Sequence, residues 1–152
     1  MAADPFDCAL TTCWIPDEPV FVEADAERLQ RVLENLVNNA IKYSPDGGAI
    51  EVSVAVQDDA AVLRVRDYGI GISPAVLPHV FERSFRASEA SAQAPGLGLG
   101  LSIAAQVVAR HRGTISAGPA EDKGTAVVVR LPLAGQPRSD PKEREAEHGL
   151  KV

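Results

Sequence analysis

An asparagine-rich stretch is the first feature of the sequence that could do chemistry. Asn35, Asn39 and Lys42 are spaced i, i+4 and i+7, so they would lie along one line on a helix. Asparagine is a weak helix former, and placing Asn35, Asn38 and Asn39 within five positions costs stability unless they bind something. Carboxamide oxygens beside a phosphate-bound Mg²⁺ would supply that gain. Simple solvation of a helix flank is the alternative.

A carboxylate at the end of an apolar alternation is the second feature. Leu63, Val65 and Asp67 alternate along one strand face, so the Asp67 carboxylate should point to the apolar side. A buried carboxylate without a hydrogen-bond donor is costly. Gly69 and Gly71 follow, and glycine lets a flat ring approach the backbone closely. An adenine amino group could be the donor; a plain Asp-x-Gly-x-Gly turn is the alternative.

The third feature is a glycine-rich run, Gly96 to Leu101, that leads into a predicted helix. Free N–H groups and the positive end of the helix dipole make such a start an anion site. No βαβ unit surrounds the run and no Gly-Lys-Ser/Thr follows it, so it is neither a dinucleotide-binding nor a Walker loop. Upstream, residues 87–95 are small and polar, which favours a mobile lid from which Arg86 could reach a phosphate. A solvated Arg86 is the alternative.

Two helices and four strands must position these residues. Apolar residues at helical spacing predict a helix over 26–43, with Asp25 as its N-cap, and a second over about 99–110. Such helices on one face of a mixed or antiparallel sheet predict a two-layer α/β sandwich. The predicted strands, of which the last is expected to be central, cover 50–56, 61–67, 114–117 and 126–131.

Composition narrows the function classes. The chain has 152 residues, 45% of them apolar, which suits one globular domain, and its net charge of −6 disfavours a nucleic-acid partner. Neither a membrane-spanning run nor a signal peptide is present, so we expect a cytoplasmic location, no membrane contact and reduced thiols at Cys8 and Cys13. We predict a partly disordered leader at 1–19 with at most one short strand, a domain at 20–133 and a disordered tail at 134–152.

These features, in this order, resemble the catalytic and ATP-binding domain of sensor histidine kinases. That domain belongs to a superfamily shared with gyrase, heat-shock chaperones and mismatch-repair ATPases. Gly124-Thr125 before the last strand also fits, and the resemblance covers roughly Glu23–Leu133. It implies a Bergerat-type ATP-binding fold. The similar segments are 35–44 for the N box, 67–72 for the first glycine box, 81–86 for the F box and 96–104 for the second glycine box.

The resemblance implies roles toward ATP and Mg²⁺. Asn39 would ligate the metal, with Asn35 nearby. Lys42 and Arg86 would contact phosphates, and these two with Asn35 form the implied catalytic set. Asp67 would hold the adenine amino group. The implied ATP-binding residues are Asn35, Asn39, Lys42, Tyr43, Asp67, Gly69, Gly71, Ile72, Phe81, Arg86, Gly96, Leu97, Gly98, Leu99, Gly100, Leu101 and Thr125.

The resemblance also implies which branch of the superfamily is present. ATPase branches carry a water-activating glutamate where this chain has Asn35, which cannot act as a general base. Slow hydrolysis would leave the γ-phosphoryl group for a histidine. None of His79, His111 and His148 lies in the acceptor pattern. We therefore expect the acceptor on a separate dimerisation domain, normally of the same polypeptide, with a response regulator as indirect partner. We expect no autophosphorylation by this fragment alone, although the full-length protein could be membrane-anchored.

Three departures from the family pattern concern the lid. Leu97 stands where threonine is common, Ser84 replaces a frequent aromatic residue, and no Lys or Arg lies between Arg86 and Gly96. These departures leave open the alternative that the domain is a nucleotide-binding regulatory module without transfer activity. A serine kinase of the anti-sigma-factor type, which shares the fold, is the other alternative.

Overall fold

Two α-helices and five strands lie within the part of the chain that the structure describes. The structure, a computed structural model, describes residues 8–82 and 100–135. A 3₁₀ turn at Leu77–His79 precedes the second helix. The helices are α1 (Ala26–Lys42) and α2 (Gly100–Arg110). The strands are β1 (Cys8–Trp14), β2 (Gly48–Gln57), β3 (Ala60–Asp67), β4 (Thr114–Pro119) and β5 (Thr125–Pro132).

Helix α1 begins and ends where its sequence signals predict. The Asp25 side chain accepts a hydrogen bond from the Arg28 N–H at 3.2 Å, which confirms the predicted N-cap. The last helical residue is Lys42, and Tyr43 serves as the C-cap, one residue earlier than predicted. One face of the helix is buried, because its apolar residues recur at helical spacing.

The sheet is mixed, and its strand order is β1-β2-β3-β5-β4. Strand β1 runs parallel to β2, whereas β2, β3, β5 and β4 pair antiparallel. The four predicted strands are present, and β5 lies inside the sheet as expected. Asp58 and Asp59 form the two-residue turn between β2 and β3, both with positive φ, as a tight hairpin requires.

The core lies between the two helices and one face of this sheet. Leu36 of α1, Val108 of α2 and Val129 of β5 are each at most 1% exposed and belong to one apolar cluster. Burying this surface is the main force that holds the layers together. The predicted two-layer α/β sandwich is confirmed.

Strand β1 lies inside the segment predicted as a leader. Its pairing begins at Cys8 opposite Gly48. At the other end of the described chain, Val22 forms a single bridge with Leu133. The division at residues 19 and 133 stays a prediction. Within 8–82 and 100–135, neither helix is long and apolar enough to span a bilayer.

Candidate functional site

The carboxylate of Asp67 lies at the end of β3, on the same face as the core. Asp67 pairs with Ile50 of β2 and is 5% exposed, so the predicted inward orientation is confirmed. Its Oδ1 accepts two backbone hydrogen bonds, from the Gly69 N–H at 2.9 Å and the Thr125 N–H at 3.2 Å. No described residue donates to Oδ2. One oxygen therefore fixes the carboxylate, and the other is left to bind.

Burial raises the pKa of Asp67 above its ordinary value. The two backbone hydrogen bonds, from Gly69 and Thr125, lower the pKa, as does the positive charge of neighbouring Arg66, but desolvation outweighs them. The ionised carboxylate is thus poorly compensated inside the protein. A further hydrogen bond donated to Oδ2 would stabilise the ionised carboxylate more here than at the protein surface.

Thr125 offers a second unused polar atom beside this carboxylate. It is the first residue of β5 and is 4% exposed. Its Oγ1 is buried and has no hydrogen-bond partner among the described residues. Because a buried hydroxyl is normally satisfied, this atom marks a place where a bound molecule or water can form a hydrogen bond.

The glycine loop after β3 is pressed against the end of α1. The Ile70 N–H donates to the Tyr43 carbonyl oxygen at 2.9 Å. A side-chain carbon at Gly69 would overlap that same carbonyl, so no other residue fits. At Gly71 the φ of +74° favours glycine instead. The loop thereby fixes the Asp67 carboxylate relative to the C-terminal end of α1.

Gly124, which precedes β5, leaves space for Asp67 on the side opposite the glycine loop. Its φ is +86°, and a side-chain carbon there would lie 2.8 Å from the Asp67 Oδ1 and closer still to its carbonyl oxygen. Sequence reasoning linked Gly124 only to the family pattern. Its close approach to Asp67 depends on how β3 and β5 pair, which no local sequence signal reports.

The polar flank of α1 continues from this loop. Asn35 and Asn39 are half-buried and Lys42 is exposed, all on the flank that the i, i+4, i+7 spacing predicts. Asn38, which lies off this line, is exposed. Among residues 8–82 and 100–135, no group of three His, Cys, Asp or Glu side chains could hold a metal ion.

Comparison with known proteins decides the family. The sequence profile described as "Histidine kinase-, DNA gyrase B-, and HSP90-like ATPase" matches residues 24–135. The chain belongs to this family.

Relatives within the ATPase family are sensor histidine kinases. The sensor histidine kinase WalK of Bacillus subtilis is 38% identical over 129 residues, which cover 83% of this chain and 21% of WalK. A structure of the mycobacterial sensor histidine kinase MprB aligns with a TM-score of 0.73 at 35% identity, covering 85% of this chain and 84% of that one.

A second similar structure contains a nucleotide analogue. Full-length ShkA in complex with AMPPNP aligns with a TM-score of 0.68 at 25% identity, covering 82% of this chain and 26% of ShkA. This chain spans about a fifth of WalK and most of the MprB chain. With the family match, it corresponds to the ATPase domain of a histidine kinase, as the four motifs predict.

Within this ATPase domain, the structure brings two of the four predicted boxes into contact. The N-box end at Tyr43 meets the first glycine box at Ile70. Ile72 and Phe81 are half-buried against the core, and Leu101 is buried in it. The remaining predicted residues lie outside the described ranges: Arg86, Gly96, Leu97, Gly98 and Leu99, with Ser84 and Phe85 of the F box.

Proposed function

We propose that this domain binds Mg–ATP and donates the γ-phosphoryl group to a histidine on a separate dimerisation domain. The observation that carries the nucleotide part is the free Oδ2 of Asp67 beside the unused Oγ1 of Thr125. Family membership and the AMPPNP complex of ShkA support the choice of an adenine nucleotide. A cytoplasmic location follows from that role.

Adenine suits the Asp67 pocket because of its exocyclic amino group. An amino N–H would donate to Oδ2, and the hydroxyl of Thr125 can donate to a ring nitrogen or accept from the same amino group. A hydrogen bond to an ionised group is the stronger kind, worth about 1.5–3 kcal/mol. Guanine presents a carbonyl oxygen at the corresponding position, which would meet the carboxylate with like polarity.

The phosphates would extend from this pocket along the polar flank of α1. Asn39 would then ligate Mg²⁺ with Asn35 nearby, and Lys42, Arg86 and the backbone of the second glycine box would contact the phosphates. The amides are half-buried and pre-positioned on a helix, as a metal and phosphate site requires. Mg²⁺, when bound, would neutralise phosphate charge and orient the γ-phosphoryl group.

The Asn39→Ala variant tests the metal assignment. We expect Mg²⁺-dependent binding of AMPPNP to weaken about 10- to 100-fold, because one protein ligand of the ion is removed. Binding in EDTA should change little. Isothermal titration with and without Mg²⁺ measures both. Asn38→Ala removes the same amide from the exposed side of the helix and should match the wild type; equal losses in the two variants would refute the role of Asn39.

The transfer step requires an acceptor imidazole. Its nitrogen would form the P–N bond while the bond from the γ-phosphorus to the bridging oxygen breaks, and ADP would leave with that electron pair. The imidazole proton would pass to a base of the acceptor domain. Because Asn35 replaces the water-activating glutamate of the ATPases, hydrolysis should not compete strongly.

Labelled ATP mixed with a histidine-bearing dimerisation hairpin tests the transfer. An acid-labile, alkali-stable phosphoprotein confirms phosphohistidine. An acid-stable product would instead identify a serine kinase. If ATP binds but no phosphoprotein forms with the dimerisation hairpin of the same full-length kinase, the domain is a regulatory nucleotide-binding module.

A further inference from the structure

His111 joins the end of α2 to the start of α1. It follows the last residue of α2, and its Nδ1 lies 2.7 Å from the Val107 carbonyl oxygen. Its Nε2 lies 3.0 Å from the backbone nitrogen of Asp25, the N-cap of α1. A carbonyl can only accept and an N–H can only donate, so the ring is neutral with its hydrogen on Nδ1. This link spans 86 positions of the chain.

The two helices that His111 joins carry the two halves of the proposed nucleotide site. Helix α1 presents Asn35, Asn39 and Lys42. Helix α2 begins at Gly100, directly after the glycine run. Since the start of α1 lies at the end of α2, the helices are antiparallel, and the start of α2 at Gly100 lies toward the asparagine-bearing half of α1. The alignment of these helices thus sets the distance between Asn39 and the start of α2.

We propose that His111 is a positioning residue whose neutral imidazole holds α1 and α2 in the alignment that binds nucleotide, and whose protonation releases them. This inference rests on the proposed function. A doubly protonated ring has a hydrogen on Nε2, which would face the Asp25 N–H donor to donor. The bond to Val107 survives protonation, so the ring stays on α2 while α1 is released.

The charged groups near His111 lie in the first turns of α1 and in the segment of His111 itself. In the first turn of α1, the Asp25 carboxylate is already engaged by the Arg28 N–H at 3.2 Å and the Arg28 side chain at 3.7 Å. Glu27 and Arg31 are the other charged residues of that end of α1, and both are exposed. On its own segment, His111 is flanked by Arg110 and Arg112, which oppose a further positive charge. Strand β4, which follows, contains no titratable side chain.

Nucleotide binding across pH tests the proposal. Affinity for Mg–AMPPNP is measured by isothermal titration at pH 8, at pH 5.5 and at values between them. His111→Ala should bind about 2- to 10-fold more weakly than wild type at pH 8, as the loss of one hydrogen bond implies. As pH falls toward 5.5, the difference in affinity between the two should shrink, because protonation of the ring removes the same bond from the wild type.

Two further variants make the outcome specific. His111→Gln can accept from the Asp25 N–H at any pH, so it should retain more affinity than His111→Ala at pH 5.5. His79→Ala removes an exposed histidine, paired with Glu82, that lies outside the proposed site, and should follow the wild type at every pH value. Protonation of Asp67 should lower the nucleotide affinity of every variant by the same factor, so it cancels when the affinities of variant and wild type are compared at one pH.

Each remaining outcome has one meaning. If the ratio of wild-type to His111→Ala affinity stays constant with pH, His111 is merely structural and the proposal is overturned. Equal affinities at pH 8 would overturn it as well. Absence of binding by the wild type at pH 8 would instead contradict the proposed function. The ¹⁵N shift of the Asp25 amide of the wild type, followed through the same pH range, reports the bond directly and does not depend on whether a variant folds.

Discussion

Asp67→Asn is expected to abolish useful ATP binding while leaving the domain folded. The Asn oxygen can take the place of Oδ1 and keep the bonds from Gly69 and Thr125. Its amide nitrogen then replaces Oδ2 and presents N–H groups to the adenine amino group. Loss of a charge-assisted bond, with two donors left facing each other, should weaken ATP binding about 10- to 100-fold or more.

The same substitution should stabilise the unliganded domain at neutral pH. Burial raises the pKa of Asp67, so the folded state disfavours the ionised form. A raised folded pKa contributes stability at low pH, and that contribution is lost as pH rises through the folded value. At pH 7 the carboxylate is therefore a cost that the neutral amide removes. The stability gain of the variant should shrink as pH falls through the raised folded pKa of Asp67 and should be gone below the unfolded Asp pKa of about 3.9.

Titration calorimetry with AMPPNP and thermal unfolding without nucleotide measure the two effects. Asp58→Asn, at the hairpin on the other end of β3, removes the same charge from an exposed position and should change neither. If Asp67→Asn keeps wild-type affinity, the adenine assignment is wrong. If it unfolds the domain, the carboxylate is structural rather than a binding group.

Local patterns in the sequence predict the parts of the site that depend on one element. The helical spacing of Asn35, Asn39 and Lys42 and the alternation ending at Asp67 fix which side each residue faces. Both follow from the period of a helix or strand. The structure therefore agrees with these predictions to within a residue at the end of α1.

Contacts between segments that are distant in the sequence cannot be predicted from the period of a single helix or strand. The sequence of β1 has no sustained period, and its place at the sheet edge comes from parallel pairing with β2, 40 residues later. The fit of Gly124 around Asp67 and the link from His111 to Asp25 likewise require the assembled fold. Such contacts involve backbone atoms, whose positions any residue type can supply.

Gly69→Ala is expected to be strongly destabilising although it adds only one methyl group. The φ of Gly69 is not in the left-handed region, so alanine is allowed there by the backbone alone. The cost comes from space: the new carbon would overlap the Tyr43 carbonyl that accepts the Ile70 N–H. Neither partner is a flexible side-chain end, so the loop or the end of α1 must move. Overpacking of this kind costs about 1–3 kcal/mol, and the lost hydrogen bond adds about 1 kcal/mol.

The displacement should also reach the ligand. The Gly69 N–H holds the Asp67 Oδ1, so a shifted loop misplaces the carboxylate and ATP affinity should fall by at least tenfold in the fraction that remains folded. Chemical denaturation and AMPPNP titration report the two losses. Gly118→Ala in β4 is the matched control, because no atom lies within 4 Å of the added carbon, and it should be neutral or slightly stabilising. Equal stability of the two variants would mean that the glycine loop does not press on α1, and that the N box and the first glycine box are positioned independently.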